Sequence, residues 1–435
     1  MKPLLISDDN KYWYLNVGGT GMIADKNVAG LNDQQDMTLS LYQLLNPAVR
    51  ANPYPLYQRL RCEAPVYWDH YLHAWVVTRY EDVLHVFQHF SADRTPTPAQ
   101  LMSLGLSSLA PLAQTLIRLM LFMDPPDHGR VRGLASRAFT PRRVEMLRTH
   151  IAAITNDLLD AVQGRGQMDV IADLAYPLPA IVTAGMLGVP TSDWQLLTRW
   201  SADFAQVLGG FQHSPEQAPH VIRTLEDMTA YFREALQDHR KHPRDGLISA
   251  FLAAEMDGDR LTEEEIIANT IVTMVGGQET TTNLIGNGIL TLLHHRDQFE
   301  QLRTDLALIP SAIEELLRYE SPIQHTARLA PEDVELGGQL IRKRQAVIAV
   351  MGAANRDPER FPDPDRFDIH RQDNRHVAFA WASHFCFGAP LARLEGKIVF
   401  EAMLRRMPEL QLEHGPLTWR ENLGFRGLTA LPVRF

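Results

Sequence analysis

Apolar positions along most of the chain recur every three or four residues, the spacing of helices that bury one face. From Met37 the pattern is sustained through MTLSLYQLLNPAVRANPYPLYQRLR. Longer runs fill 143–255, among them VEMLRTHIAAITNDLLDAV and TLEDMTAYFREALQDHRKH, with breaks expected at Gly164-Arg165-Gly166, Val189-Pro190 and His213–Pro219. Aromatic and β-branched clusters are short. Residues 65–79, PVYWDHYLHAWVVTR, predict two strands around a turn, and Asp82–Phe90 predicts a short helix. The fold class expected is mainly α with small β-sheets (α+β). Residues 1–36 are polar and rich in Gly and Asn, and they lack this periodicity. They are expected to be a poorly ordered extension, with residues 37–435 forming the functional domain.

The longest helical pattern begins at Leu261, LTEEEIIANTIVTMVGGQETTTNLIGNGILTLLHH. Thr262 and Glu265 fit a capping box. About thirty helical residues would run roughly 45 Å, enough to cross a domain. Its middle breaks local rules. Gly276-Gly277 followed by Gln278-Glu279-Thr280-Thr281-Thr282 interrupts an apolar helix, at about 1 kcal/mol per glycine relative to alanine. Breaks without local benefit belong to functional sites. The glycines let a flat ligand approach the backbone. Thr280 can bond a carbonyl of the preceding turn, and Glu279 beside it offers an exchangeable proton. A Gly-kinked core helix with a surface acid is the plainer alternative.

Charge and cysteine content narrow the classes. Of 435 residues 45% are hydrophobic and 22% charged, and the net charge is −10, which argues against a general nucleic-acid binder. Two cysteines, Cys62 and Cys386, make neither a disulfide scaffold nor a zinc cluster. No apolar run is expected to span a bilayer. The N-terminus has no signal-peptide pattern, so a cytoplasmic protein without a membrane anchor is expected.

Cys386 stands in HVAFAWASHFCFGAPLARLE, residues 376–395, and Pro390 opens a helix just behind it. The helix N-terminus favours thiolate, and a thiolate among aromatic rings calls for a metal to share its charge. A small buried hydrophobe is the alternative. In 123–144, His128 and Arg132 share a helix face and could bind an anion or simply face water. In 311–328, Arg318 can pair with Glu315 or with Glu314. Pro322 ends that helix, Ile323–Arg328 reads as extended, and Arg328 adds a cation. Residues 354–371, ANRDPERFPDPDRFDIHR, are dense in turn residues. Such a long irregular loop is usually functional or clamped, and Arg366 is a candidate clamp onto Glu315.

Taken in order from Leu39 to Phe435, these motifs resemble the cytochrome P-450 family of soluble bacterial type. The cysteine stretch resembles its haem-binding loop, with Phe379, His384, Cys386 and Gly388 at the family spacing. Gly276–Thr281 resembles its oxygen-activation motif. Glu315-Leu316-Leu317-Arg318 and Pro364-Asp365-Arg366-Phe367 resemble its Glu-x-x-Arg helix and partner loop. The resemblance implies a large helical region and a smaller β-rich region around haem b. Cys386 would be the iron ligand, with Thr280 and Glu279 catalytic. His128, Arg132, Arg328 and His384 would be propionate donors, and Glu315, Arg318 and Arg366 a structural clamp. The substrate wall would draw on 95–121, Met274, Val275, Ile323, Thr326, Leu428 and Thr429. The family usually places glycines where this chain has Ala380 and Ala382.

The function implied is a monooxygenase acting on an apolar organic substrate. No flavin or iron–sulfur module is expected to fit in this length and no cysteine cluster is present, so electrons would come from a ferredoxin and its reductase. Arg375, Arg393 and Lys397 are a candidate docking patch on a monomeric enzyme. A peroxide-driven enzyme of the same fold is one rival, and a haem sensor or carrier without catalysis is another.

Overall fold

The computed structural model describes residues 39–96, 101–102, 109–209, 218–256 and 258–435. The expected extension and the break at 213–217 lie outside them, as does part of the 95–121 wall. The predicted strands form as Val66–Asp69 and Ala74–Val77, paired antiparallel. Ala74–Val77 pairs in parallel with Ala346–Ala349, which pairs antiparallel with Thr326–Leu329. A second sheet joins Gln167–Asp169, Pro432–Arg434 and Gln411–Leu412. Two short strand pairs, Glu255–Met256 with Asp259–Arg260 and Val334–Leu336 with Gln339–Ile341, complete the sheets, and the other regular elements among the described residues are helical, as the apolar spacing predicted.

The helix from Glu263 to His294 has 32 residues, about 48 Å of rise. Thr262 Oγ1 accepts from the Glu265 N–H, and the Glu265 carboxylate accepts from the Thr262 N–H, which completes the capping box. Three glutamates in the first turn face the positive helix end. Its N-terminal half packs in one core with Leu225, Phe232 and Phe251. Its C-terminal half packs in another with Ile313, Leu316 and Phe400. This helix therefore ties two cores together and fixes what lies at its middle.

Beside it, Val170–Ala175 winds as a π-helix before the helix Pro177–Leu187. Gln278 Nε2 donates to the Tyr176 carbonyl at 3.0 Å and Thr282 Oγ1 to the Ala175 carbonyl at 2.7 Å. Two of the polar residues interrupting the long helix thus satisfy carbonyls at the end of the widened turn. Contrary to the sequence expectation, Val170–Leu187 is long and apolar enough to cross a membrane, with a mean hydropathy of 1.6. It is instead 72% buried inside the protein, where continuous apolarity serves a segment covered on all sides.

Candidate functional site

The cysteine loop lies between the irregular loop and the helix Ala389–Arg406. The Cys386 N–H donates to the Phe379 carbonyl at 2.8 Å, closing the bulge. Cys386 remains partly accessible although it is deep in the fold. Burial pushes its thiol up, while N–H groups of Gly388 and Ala389 and the charges of Arg132 and Arg393 oppose that rise. A thiolate here is positioned and partly compensated, and a cation on its open side would complete the compensation.

Ala380 and Ala382 both adopt left-handed backbone, φ 57° and 55°. For an alanine this conformation costs about 1–2 kcal/mol, so the positions demand what glycine supplies freely. Ala380→Gly and Ala382→Gly are each expected to stabilise the protein by about 1 kcal/mol. Thermal unfolding of the single variants and the pair checks this, and an unchanged or lower melting temperature would contradict it.

On the long helix, Gly276 is exposed and Val272, Thr273, Gly277 and Thr280 are half-exposed, although the helix is otherwise mostly buried. These five positions share one arc of a 3.6-residue helix. A Cβ at Gly276 or at Gly388 would meet no atom within 4 Å. Thr280 Oγ1 donates to the Gly276 carbonyl at 2.6 Å, the bond expected from sequence. Its lone pairs stay available to accept a further hydrogen bond.

Glu279 is 4% exposed and turns away from that arc. Its Oε2 accepts from Arg420 Nη1 at 2.6 Å, and its Oε1 has no protein partner. Burial raises the pKa of Glu279, and Arg420 works against the rise. Arg420 was not found from sequence. It sits 141 positions away with no motif around it, and only the tertiary structure brings the two together.

The four proposed anion donors are brought together. The His128 and His384 rings lie 4.1 Å apart between centroids, and His384 also feels Arg328, Arg94 and Arg132. Burial, then the repulsion of these cations, pushes His384 down to about 3. His128 Nε2 is buried without a hydrogen-bond partner. Arg94, buried and stacked 4.3 Å from the Phe122 ring, is a fifth member that the sequence did not single out. Arg132 also donates to the Phe385 carbonyl at 2.7 Å, tying the donor helix Asp127–Ala138 to the cysteine loop. So dense a cation cluster fits a dianionic group. A haem carries two carboxylates and needs room beside a thiolate, so the residues present fit it.

The clamp needs one correction. Arg318 and Glu315 form a fully buried bidentate pair, 2.8 Å on both arms. The second guanidinium on Glu315 belongs to Arg371, at 3.2 Å, not to Arg366. The Arg366 side chain is exposed, and it is its backbone carbonyl that accepts from Arg318. The turn at Asp363–Arg366 points that side chain outward while its carbonyl points in. Glu314 is turned elsewhere. Although burial opposes it, Arg393 and His376 hold Glu314 down at about 2.

Two members of the candidate docking patch have acidic neighbours. Arg393 is paired with Glu314 at 2.7 Å and Arg375 with Asp373 at 3.5 Å. Of the wall candidates, Met274, Val275 and Leu428 are 1–2% exposed and packed in the apolar cores, the first two on the side of the long helix away from the open arc. Val272 and Thr273, which the sequence reading passed over, lie on it. Ile323 and Thr326 are half-exposed and Thr429 is exposed. Phe379 is buried under the Arg393 guanidinium, 4.6 Å away.

Comparison with known proteins agrees with this geometry. The family model described as cytochrome P450 matches residues 67–416. The biotin biosynthesis cytochrome P450 of Bacillus subtilis (strain 168) is 41% identical over 88% of this chain and 96% of its own length. The cytochrome P450 monooxygenase PikC of Streptomyces venezuelae is 39% identical over 88% of this chain and 91% of its own. Among solved structures, P450BioI in complex with a hexadec-9Z-enoic acid ligated acyl carrier protein superposes with a TM-score of 0.84 at 39% identity. That match covers 90% of this chain and 100% of the other.

Proposed function

Because this chain belongs to the cytochrome P450 family of haem-thiolate monooxygenases, we propose that it inserts one atom of O2 into an apolar organic substrate by hydroxylation or epoxidation. The other atom leaves as water, so each turnover takes up two electrons and two protons. The electrons come from a separate ferredoxin and reductase, in the cytoplasm, to a monomeric enzyme. The observation that carries this reading is the adjacent Thr280 and Glu279 of the long helix, Thr280 on the open arc and bonded to Gly276, Glu279 buried beside it and bonded to Arg420.

The haem b cofactor supplies O2 binding and oxidising chemistry, and thiolate ligation favours O–O cleavage. The chain's own parts in this reading are distinct. Cys386 holds the group from one side, with the N–H groups of Gly388 and Ala389 steadying its charge. His128, Arg132, Arg328 and His384, with Arg94, hold its carboxylates. Gly276 leaves space for a flat ring system, and Thr280 presents hydroxyl lone pairs that accept from a water or another O–H donor there. Glu279, kept protonatable by burial, moves protons inward. Glu315, Arg318 and Arg371, with the Arg366 carbonyl, hold the loop that carries Cys386.

The substrate wall in this reading comprises Val272, Thr273, Ile323, Thr326 and Thr429, with apolar and small hydroxyl groups and no charge. The hexadec-9Z-enoic acid in the P450BioI complex is likewise a long apolar ligand, which supports a lipid-like or polyketide-like substrate. The test compares two oxidant supplies. Glu279→Gln is expected to lower turnover with O2 and reductant by about 10²-fold and divert electrons to hydrogen peroxide. Peroxide brings its own protons, so turnover with added peroxide should fall far less. Equal loss under both supplies would remove Glu279 as a proton relay. Wild-type turnover with added peroxide but none with O2 and reductant would favour a peroxide-driven enzyme.

A further inference from the structure

The helix Tyr80–His89 carries two histidines one turn apart on its outer side. His85 and His89 stand at i and i+4 and so share a face, and their rings lie 4.6 Å apart between centroids. His85 is half-exposed and His89 exposed. Among the described residues neither ring makes a hydrogen bond or an ion pair. The other face of the helix, with Val83, Val86 and Phe87, packs in one core with Val77, Val347 and Ala349, which holds the backbone beneath the pair. Phe90 meets the His85 ring edge to face at 6.1 Å and limits its rotation.

Other close histidines are already engaged. His239 bonds Ser249 and the Gly188 carbonyl through its two ring nitrogens. His376 bonds Glu314 and the Ala378 N–H. His128 and His384 stand among arginines, which repel a cation. Around His85 the charged neighbours are His89 and Asp82, and Asp82, one turn earlier, favours a cation there. Burial, then His89, pushes the His85 pKa down, which leaves an unprotonated imidazole able to ligate at neutral pH.

We propose that His85 and His89 form a surface site for a late first-row divalent cation such as Zn2+ or Ni2+, chelated by the two imidazoles, completed by water and separate from the cysteine loop. Such ions take imidazole nitrogen at about 2.0–2.1 Å, which sets two donors on one ion about 3 Å apart, a span that rings this close can meet. Imidazole selects these ions over Mg2+ and Ca2+, which take oxygen. Among the described residues no group of three or more His, Cys, Asp or Glu is gathered for a metal, so the pair supplies two ligands and water the rest. The helix it braces leads to the cations of the haem carboxylate cluster. Ser91 pairs with Leu329 through both backbone groups at 2.9 Å, Arg94 follows, and the Phe87 ring lies 5.6 Å from the Arg328 guanidinium. An ion held only by the folded helix raises the melting temperature by mass action.

The test titrates the haem-loaded enzyme, free of any affinity tag, with Zn2+ or Ni2+ alone in a calorimeter. One saturable equivalent is expected, with a rise in melting temperature. His85→Ala and His89→Ala should each weaken that binding by at least about tenfold, since chelation is lost, and abolish the thermal shift. His70→Ala, in the exposed turn between the first two strands, should change neither. The reduced carbon-monoxide spectrum should be the same with and without metal, and the anomalous signal of a metal-soaked crystal should fall between the two rings. Wild-type affinity in the double alanine variant, no saturable equivalent, or an ion seated elsewhere would overturn the site. Should a variant fail to fold, as judged by its carbon-monoxide spectrum, the anomalous map of the wild-type enzyme decides.

Discussion

Cys386→Ser is expected to abolish monooxygenase turnover and to remove the red-shifted Soret band that thiolate-bound haem gives when reduced under carbon monoxide. Serine occupies nearly the same volume, so the apoprotein should keep its fold to within about 1 kcal/mol. What is lost is the soft, polarisable anion. A hydroxyl at this position stays protonated under the burial that already pushes the thiol up, and it cannot share charge with the iron. The neighbouring N–H groups of Gly388 and Ala389, and the charges of Arg132 and Arg393, serve an anion and find none. A variant that kept the red-shifted band and wild-type turnover would remove Cys386 as the ligand and with it the whole assignment.

Glu315→Ala is expected to destabilise the fold by about 3–5 kcal/mol, since it leaves a buried charge without its partner. Arg318 and Glu315 are both fully buried. Arg318 also reaches the carbonyls of Asn355, Pro364 and Arg366. Glu315 accepts from the Asp368 N–H at 2.9 Å and from Asn374 at 3.1 Å. One carboxylate thus ties the helix Ile309–Tyr319 to a loop with little regular structure of its own. That loop leads into the cysteine bulge, and Asn355 Oδ1 accepts from the Val377 N–H at 2.7 Å. The variant should therefore lose haem on purification as well as melting temperature. Arg366→Ala, whose contribution is its carbonyl, should cost less than about 0.5 kcal/mol, as surface substitutions do. Arg371→Ala should fall between the two. Chemical denaturation of the three variants measures the order, and an Arg366 effect as large as that of Glu315 would contradict it.

The clamp also shows how far local spacing reaches. The i, i+3 relation of Glu315 and Arg318 was legible, because helix geometry alone places them together. Which of Glu314 and Glu315 would pair was not, since both lie within reach of Arg318. Burial decided it by turning Glu315 inward to the loop and Glu314 outward to Arg393. The third member was misassigned because sequence cannot tell a side-chain contact from a backbone one in a turn. Arg366 and Arg371 are five residues apart in the same loop, and only the path of the chain decides which guanidinium arrives.

The same division holds at the catalytic arc. The capping box, the glycine pair and the Thr280 bond to Gly276 follow from residue chemistry within one or two turns, so they were readable. That Met274 and Val275 pack into the apolar core and not onto the open arc was not readable, because the motif's position was known but its rotation was not. Arg420 and Arg94 have no local signature at all.

By itself, then, the sequence determined the helical class, the strand pair at 65–79, the long helix with its cap, and the residues able to act as ligand, acid and alcohol. These depend on periodicity, capping and side-chain chemistry, which are properties of a few neighbouring residues. Tertiary structure decided the ionic partner of Glu279, the side chain that closes the clamp, and the left-handed strain carried by Ala380 and Ala382. Each of those depends on which groups from distant stretches share a low-dielectric interior. There the energy of a charge or an unpaired donor is set by its spatial neighbours and not by its place in the chain.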